Sequence, residues 1–336
     1  MAYRIDAKTA RPQTRIRAAV RKLSVCWCAV ALFAAVPVSA SGPYAGKRVL
    51  HVDSYHEGNQ WNTAISEAVE RTLDGTGVEL RVLRMDTKRN RSEEFKREAA
   101  LRVKAEIESF KPDVVTASDD NAAKYLIAGH YKDADLPFVF CGVNWDASVY
   151  GFPYRNVTGM VEVSPIPQII SLMRQHAKGD RVGYLTEDTP TKRKEMEHHR
   201  KLFGIEYDEV YLVRTFDEWK SSFRAAQEEV DMLVLLGVAA VEDWSDEEAA
   251  RFAQEQTRIP TGTDFGWLMH ISMFGVGKSP AEQGEWAAKA ALKILDGTSP
   301  SQIPLTYNTR GELFFNKTIA SRIGLSEPPA LAKVVE

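Results

Sequence analysis

The sequence predicts an α/β protein made of two parallel-sheet domains in tandem. Short apolar runs alternate with amphipathic helical stretches at strand–helix–strand spacing. The runs are apolar throughout rather than alternating, as strands buried on both faces require. The chain of 336 residues is long for one domain and comfortable for two.

The first series opens with a strand at residues 48–53 (RVLHVD). Residues 62–73 carry Ala64, Ile65, Ala68, Val69 and Leu73 at helical spacing. Residues 80–85 form the next strand and 93–110 the next helix. A third strand at 113–117 (DVVTA) leads into a helix at 121–131, and 137–141 (PFVFC) is the fourth strand. Residues 144–155, rich in aromatics, Gly and Pro, read as loop. Residues 157–163 (VTGMVEV) read as a strand crossing between domains, with the boundary near residue 160.

The second series has helices at 167–177, 191–203, 217–228 and 246–257, and strands at 181–186, 209–214, 231–236 and 259–263. An amphipathic helix over 281–295 stops at Asp296-Gly297. A possible strand pair and a short helix near 319–323 complete the tail. These elements divide the chain into a segment 1–40, a first lobe of 47–158 plus about 277–304, and a second lobe of 159–276 plus about 305–336.

Residues 1–40 read as a secretory signal. Residues 1–22 hold seven Lys/Arg and one acid, and an apolar run follows over 23–38. Val38-Ser39-Ala40 offers small residues where signal peptidase reads, so cleavage is expected after Ala40 and the protein is expected in the periplasm. The alternative is an uncleaved anchor, but the run of about 16 residues falls short of the ~20 that span a bilayer. Export excludes most intracellular enzymology, which depends on nucleotide pools.

The remaining 296 residues would carry 36 Lys/Arg against 45 Asp/Glu, a net charge of −9. That balance argues against nucleic acid and anionic membranes as partners. Cys141 would be the one cysteine left, so no internal disulfide is expected.

No catalytic constellation stands out. Gly277-Lys278-Ser279 mimics the end of a phosphate-binding loop, but Ser272 occupies the position of its first glycine. His51, Asp53 and His56 are weak metal candidates, because His51 falls within a strand. His198-His199 reads as a solvated helix face. Neither an enzymatic activity nor a cofactor is expected.

Three stretches carry a family resemblance: VLHVDSYHEGNQWN at the first strand, NVTGMVEVSPIPQIISLMRQ at the crossing, and GEWAAKAALKILDGTSPSQIP with FFNKTIASRIGLSEPP near the end. The chain resembles the ABC-transporter substrate-binding proteins of the type that includes tryptophan- and tyrosine-binding members. The first stretch is closest to a branch found as extracytoplasmic sensor domains, although no kinase or other output domain is expected after Glu336. The resemblance implies a type 1 periplasmic binding protein: two Rossmann-like parallel-sheet domains joined by a hinge of three crossing segments, with ligand in the cleft.

Open parallel sheets bind ligands at the carboxyl ends of their strands, and hinged domains close on them. The candidate ligand residues therefore come from the loops after the strands. In the first lobe they are Ser54, Tyr55, Trp61, Ser118, Asp119, Asn144 and Trp145. In the second they are Thr186, Glu187, Thr189, Gly237, Asp264, Phe265 and Trp267. Asp264 is placed to pair with an amino group, and the rings suit a flat apolar ligand such as an aromatic amino acid or a sugar. The expected partners are a small molecule and an inner-membrane ABC permease or, alternatively, a membrane sensor kinase. The protein is expected to act as a monomer.

Overall fold

The computed structural model describes residues 42–335. The expected secretory signal lies outside the described residues.

The first series runs β1 (Arg48–Asp53), α1 (Gln60–Leu73), β2 (Glu79–Arg84), α2 (Glu93–Phe110) and β3 (Val114–Ser118). Then come α3 (Asp119–Asn121), a π-helical stretch (Ala122–Ile127), α4 (Ala128–His130), β4 (Phe138–Asn144) and β5 (Val157–Glu162). The second series is α5 (Ile166–Arg174), β6 (Val182–Glu187), α6 (Pro190–Phe203), β7 (Glu209–Val213), α7 (Phe216–Glu229), β8 (Met232–Leu235), α8 (Asp246–Gln256), β9 (Thr261–Thr263) and β10 (Phe274–Lys278). The chain ends with α9 (Pro280–Leu295), β11 (Thr306–Tyr307), β12 (Gly311–Asn316), α10 (Lys317–Ala320) and β13 (Lys333–Val335).

Two sheets result. The first has strand order β11-β5-β4-β3-β1-β2 and is parallel throughout. The second has order β13-β12-β10-β9-β8-β6-β7, and only its β10–β12 pair is antiparallel. This is the expected α/β architecture of two parallel-dominated sheets. We call each sheet with its helices a lobe.

Side-chain caps fix the helix starts that point at the strand ends. Asn59 accepts from the Asn62 N–H at the start of α1, and Thr189 from the Lys192 N–H at the start of α6. Thr215 and Glu218 form a reciprocal capping box on α7. The first sheet is covered on one face by α2 and the π-helical stretch and on the other by α1 and α9. Helices α1 and α9 approach closely because residue 284 is glycine; a Cβ there would lie 2.1 Å from the Ile65 carbonyl oxygen. In the second lobe one apolar core gathers Tyr184, Trp219, Phe223, Phe274 and Phe315.

Three segments cross between the lobes: residues 163–165 after β5, residue 279 between β10 and α9, and residues 308–310 between β11 and β12. Side chains lash them together. Asn308 accepts from the Val163 N–H at 2.7 Å and donates to the Val163 carbonyl at 3.0 Å. Glu282 accepts from the backbone N–H groups of Thr309 and Arg310.

The structure differs from the sequence reading in four places. Strand β5 stays in the first sheet as far as Glu162, so the chain crosses after 162 rather than at 158–160. The possible strand pair of the tail is split between sheets: β11 joins the first beside β5, and β12 pairs with β10 in the second. Strand β10 was not foreseen, because FGVGK holds two glycines, which strands disfavour. Gly275 is needed there, since a Cβ would lie 2.4 Å from the Met269 sulfur. The helix expected at 121–131 starts at Asp119 and passes through a π-helical stretch.

Candidate functional site

In the first sheet, Asp53 at the end of β1 lies in register with Ser118 at the end of β3, and Ser118 with Cys141 of β4. The carboxyl ends of three strands therefore converge beside the first turn of α1. Asn62, fully buried in that turn, ties them together. Its Nδ2 donates to Asp53 Oδ1 and to Asp119 Oδ2, each at 2.6 Å, and lies 3.3 Å from Ser118 Oγ.

Asp119 holds a left-handed backbone, φ 70°, as does Trp145 at φ 60°. Such conformations are costly for residues with a Cβ and gather at functional sites. Burial, together with the neighbouring Glu162, pushes the Asp119 carboxyl well above the usual carboxylate range. Burial also raises Asp53, against the opposing hydrogen bonds from the Tyr55 N–H and Asn62. The Tyr55 hydroxyl is raised by burial and by Asp119, Asp120, Glu162 and Asp53, so it faces an acidic surface.

The crossing segments bring the second lobe to this surface. Lys278, at the end of β10, places Nζ 2.5 Å from Glu162 Oε1 and 5.6 Å from the centre of the Trp61 ring. Burial opposes the Lys278 charge, but Glu162 outweighs it and raises the ammonium above its usual range. Ser164 of the first crossing donates to Asp264 Oδ2. Burial raises the Asp264 carboxyl in spite of that bond. Lys192 on α6 is bonded to Glu195 at 2.6 Å and lies over the Phe265 ring at 5.3 Å.

Further along the cleft, Trp145 of the first lobe stacks on His198 of α6, with ring centres 5.5 Å apart and planes within 7°. Asp146 faces Lys201 across the lobes at 3.6 Å. A cavity of about 400 Å³ lies between the lobes, lined by Asp120, Asn144, Trp145, Tyr150, Glu195 and His198 among others.

The structure separates the sequence-derived candidates into groups. Tyr55, Trp61 and Asp119 lie on or beside the acidic surface, and Asp264 is bonded to Ser164 of the first crossing and acts with Glu162 on Lys278. Asn144 bonds Asp120 at 2.7 Å, and it lines the cavity with Trp145. Phe265 and Trp267 stack on each other at 4.2 Å, with Trp267 70% exposed.

Others are engaged internally. Ser54 Oγ donates to the Ser118 carbonyl and accepts from the Ala122 N–H. Ser118 is buried between Ser54 and Asn62. Thr186 donates to the Gly237 carbonyl, Glu187 accepts from the Ala240 N–H, and Thr189 caps α6. Gly237 makes room for Lys192, whose Cε would lie 2.8 Å from a Cβ there.

Sequence reasoning missed Asn62, Glu162, Lys192, Lys278 and His198 as members of the cleft. Lys278 had a signal, the mimic of a phosphate-binding loop, but it is the end of an unforeseen strand. His198 and His199 do not form a solvated face: His198 stacks on Trp145, while His199 is buried and bonded to Tyr207 Oη at 2.8 Å. His51 is buried between Thr116 and Ser66. Among the described residues no group of three or more His, Cys, Asp or Glu side chains is arranged to hold a metal ion.

Two hinged α/β lobes, with polar and aromatic side chains meeting between their strand ends, define a protein of the type 1 periplasmic binding class. The sequence matches the ABC transporter substrate binding protein family over residues 62–335, and the chain belongs to that family. Among solved structures, the ligand-free, open form of a substrate binding protein with adhesive properties from Clostridium difficile aligns with a TM-score of 0.64 at 16% identity, covering 86% of this chain and 99% of that one. A periplasmic ribose ABC transporter protein from Conexibacter woesei aligns with a TM-score of 0.51 at 15% identity, covering 84% and 96%. At these identities the likeness concerns the fold. No curated protein matches the sequence. Among the described residues no helix is long and apolar enough to cross a membrane.

Proposed function

We propose that the protein is the periplasmic solute-binding component of an ABC importer, taking a small molecule into the inter-lobe cleft by domain closure and delivering it to an inner-membrane permease without covalent chemistry. The observation that carries this reading is the meeting of buried polar groups where the lobes join, Glu162 with Lys278 beside the Trp61 ring and Ser164 of the first crossing with Asp264. A solute seated there would touch both lobes and so favour the closed form. Tyr55, Trp61, Asp119, Asn144, Trp145, Asp264 and Phe265 are its proposed contacts. The family resemblance makes aromatic amino acids the first compounds to try.

Native mass spectrometry of the protein purified gently from a periplasmic fraction tests the reading. One bound species of small-molecule mass is expected, and Trp61→Ala or Asp264→Ala should deplete it with the fold intact by circular dichroism. Undiminished occupancy in both variants would overturn the site assignment. The first-strand motif, with its likeness to sensor domains, favours a second reading as a free-standing sensor. Adjacent permease and ATPase genes would support import; an adjacent histidine kinase gene would support sensing.

A further inference from the structure

Hydrogen-bond accounting at the strand ends leaves three oxygens unserved, with the His56 ring nitrogen Nδ1, in the loop after β1, the one other unpaired atom there among the described residues. Asp53 Oδ2, Asn62 Oδ1 and Asp264 Oδ1 are buried without a donor, in residues that are 1%, 0% and 3% exposed. The orientation of Asn62 follows from its partners: its amide nitrogen serves Asp53 and Asp119, so its oxygen is the unserved atom. All three atoms are acceptors, and each calls for an N–H or O–H donor.

Charge accounting leans the same way. Among the described residues, neither Asp119 nor Asp264 has a Lys, Arg or His within ion-pair distance. The nearby cations are already engaged: Lys278 by Glu162, Lys192 by Glu195, and Arg84 3.8 Å from Asp53. Buried carboxylates held short of an ion pair are unfavourable, Asp264 included although Lys278 and Lys192 act on it from beyond contact distance, and a charged donor relieves both deficits at once. A zwitterionic amino acid brings its own carboxylate as well, and the lysines that would receive it are held by glutamates.

We infer that the cleft selects a solute of net positive charge, an amine or guanidine with a flat apolar part, over a zwitterionic amino acid. The inference rests on the solute-binding reading and narrows it. The ammonium or guanidinium group faces Asp119 and Asp264, and the apolar part lies along Trp61 and Phe265.

Calorimetric titration of ligand-stripped protein with tryptamine, L-tryptophan and indole-3-propionate compares one ring system at three charges. Tryptamine should bind at least about tenfold tighter than tryptophan, the expected scale for one charge-assisted contact. Asp119→Asn, which tolerates the left-handed backbone, should erase that preference; Asp264→Asn is the second variant should the first fail to fold. Tighter binding of tryptophan or indole-3-propionate would overturn the charge selection while leaving solute binding in place. If none of the three binds, a bacterial metabolite extract separated by cation exchange decides. An adduct from the cationic fraction, seen by native mass spectrometry, supports the inference, and one from the neutral or anionic fraction overturns it. No adduct from any fraction overturns the solute-binding reading beneath it.

Discussion

On the first-lobe side of the cleft, Ser54, Asn62, Ser118 and Asp119 are bonded to one another and almost wholly buried. On the second-lobe side, Phe265 and Trp267 stack on each other, and Trp267 is largely exposed. One face is a cross-braced polar surface whose geometry is set before any solute arrives. The other offers rings and two lysines that complete the cleft across the crossing segments. Pre-organisation on one side reduces the ordering that closure requires, so specificity should reside in the first lobe and adaptability in the second.

The largest expected effect comes from the brace. Asn62→Ala removes the donor shared by two buried carboxylates and should lower stability by about 3 kcal/mol, within the range for a broken buried polar network. Solute binding should be lost with it. Urea denaturation measures the first effect; a loss below about 1 kcal/mol would mean that the network is not a brace.

Next comes acid sensitivity, which both lobes should share. Burial holds His51 of β1 down to about 4, with Arg84 adding to the effect, and burial with Lys192 nearby holds His199 of α6 down to about 3. Both are neutral in the folded protein and titrate near 6.5 when unfolded. The unfolded chain therefore binds more protons below that pH. The stability gained from the neutral form is complete above pH 6.5 and is lost as pH falls towards 4 and 3. Between pH 6.5 and 5 each histidine should remove about 2 kcal/mol. Denaturation at the two pH values should show a larger acid loss in wild type than in His199→Phe; the difference isolates the histidine from the raised carboxyls of Asp53, Asp119 and Asp264, which act in the opposite direction. Equal acid sensitivity in wild type and variant would contradict the buried neutral state.

The smallest effect belongs to the exposed ring. Trp267→Ala should change stability by no more than about 0.5 kcal/mol, as surface substitutions do, and should weaken solute binding less than Trp61→Ala. A greater loss at Trp267 would reverse the comparison of the two faces.

Much of this fold is legible in the sequence, because apolar runs such as RVLHVD and DMLVLL announce buried parallel strands. The strands that escape are those shaped by packing. FGVGK is a strand because glycine lets Met269 and Phe314 close over it, and β11 is two residues beside β5. The site is less legible. The loop positions of Asp119, Trp145 and Asp264 follow from strand ends, and the rule that finds them also selects Ser54 and Thr186, which spend their hydroxyls internally. Asn62 sits inside a helix and Glu162 inside a strand, so neither loop position nor motif marks them. Their roles come from contacts made across elements: Asn62 with the end of β3, and Glu162 with Lys278, 116 positions along the chain.

Small-angle X-ray scattering of the protein, with and without the solute identified by native mass spectrometry, tests closure of both lobes most directly. The radius of gyration should fall when solute is added, and Trp61→Ala should require more solute to produce the same fall. Scattering curves that coincide while the solute is bound would contradict closure around it.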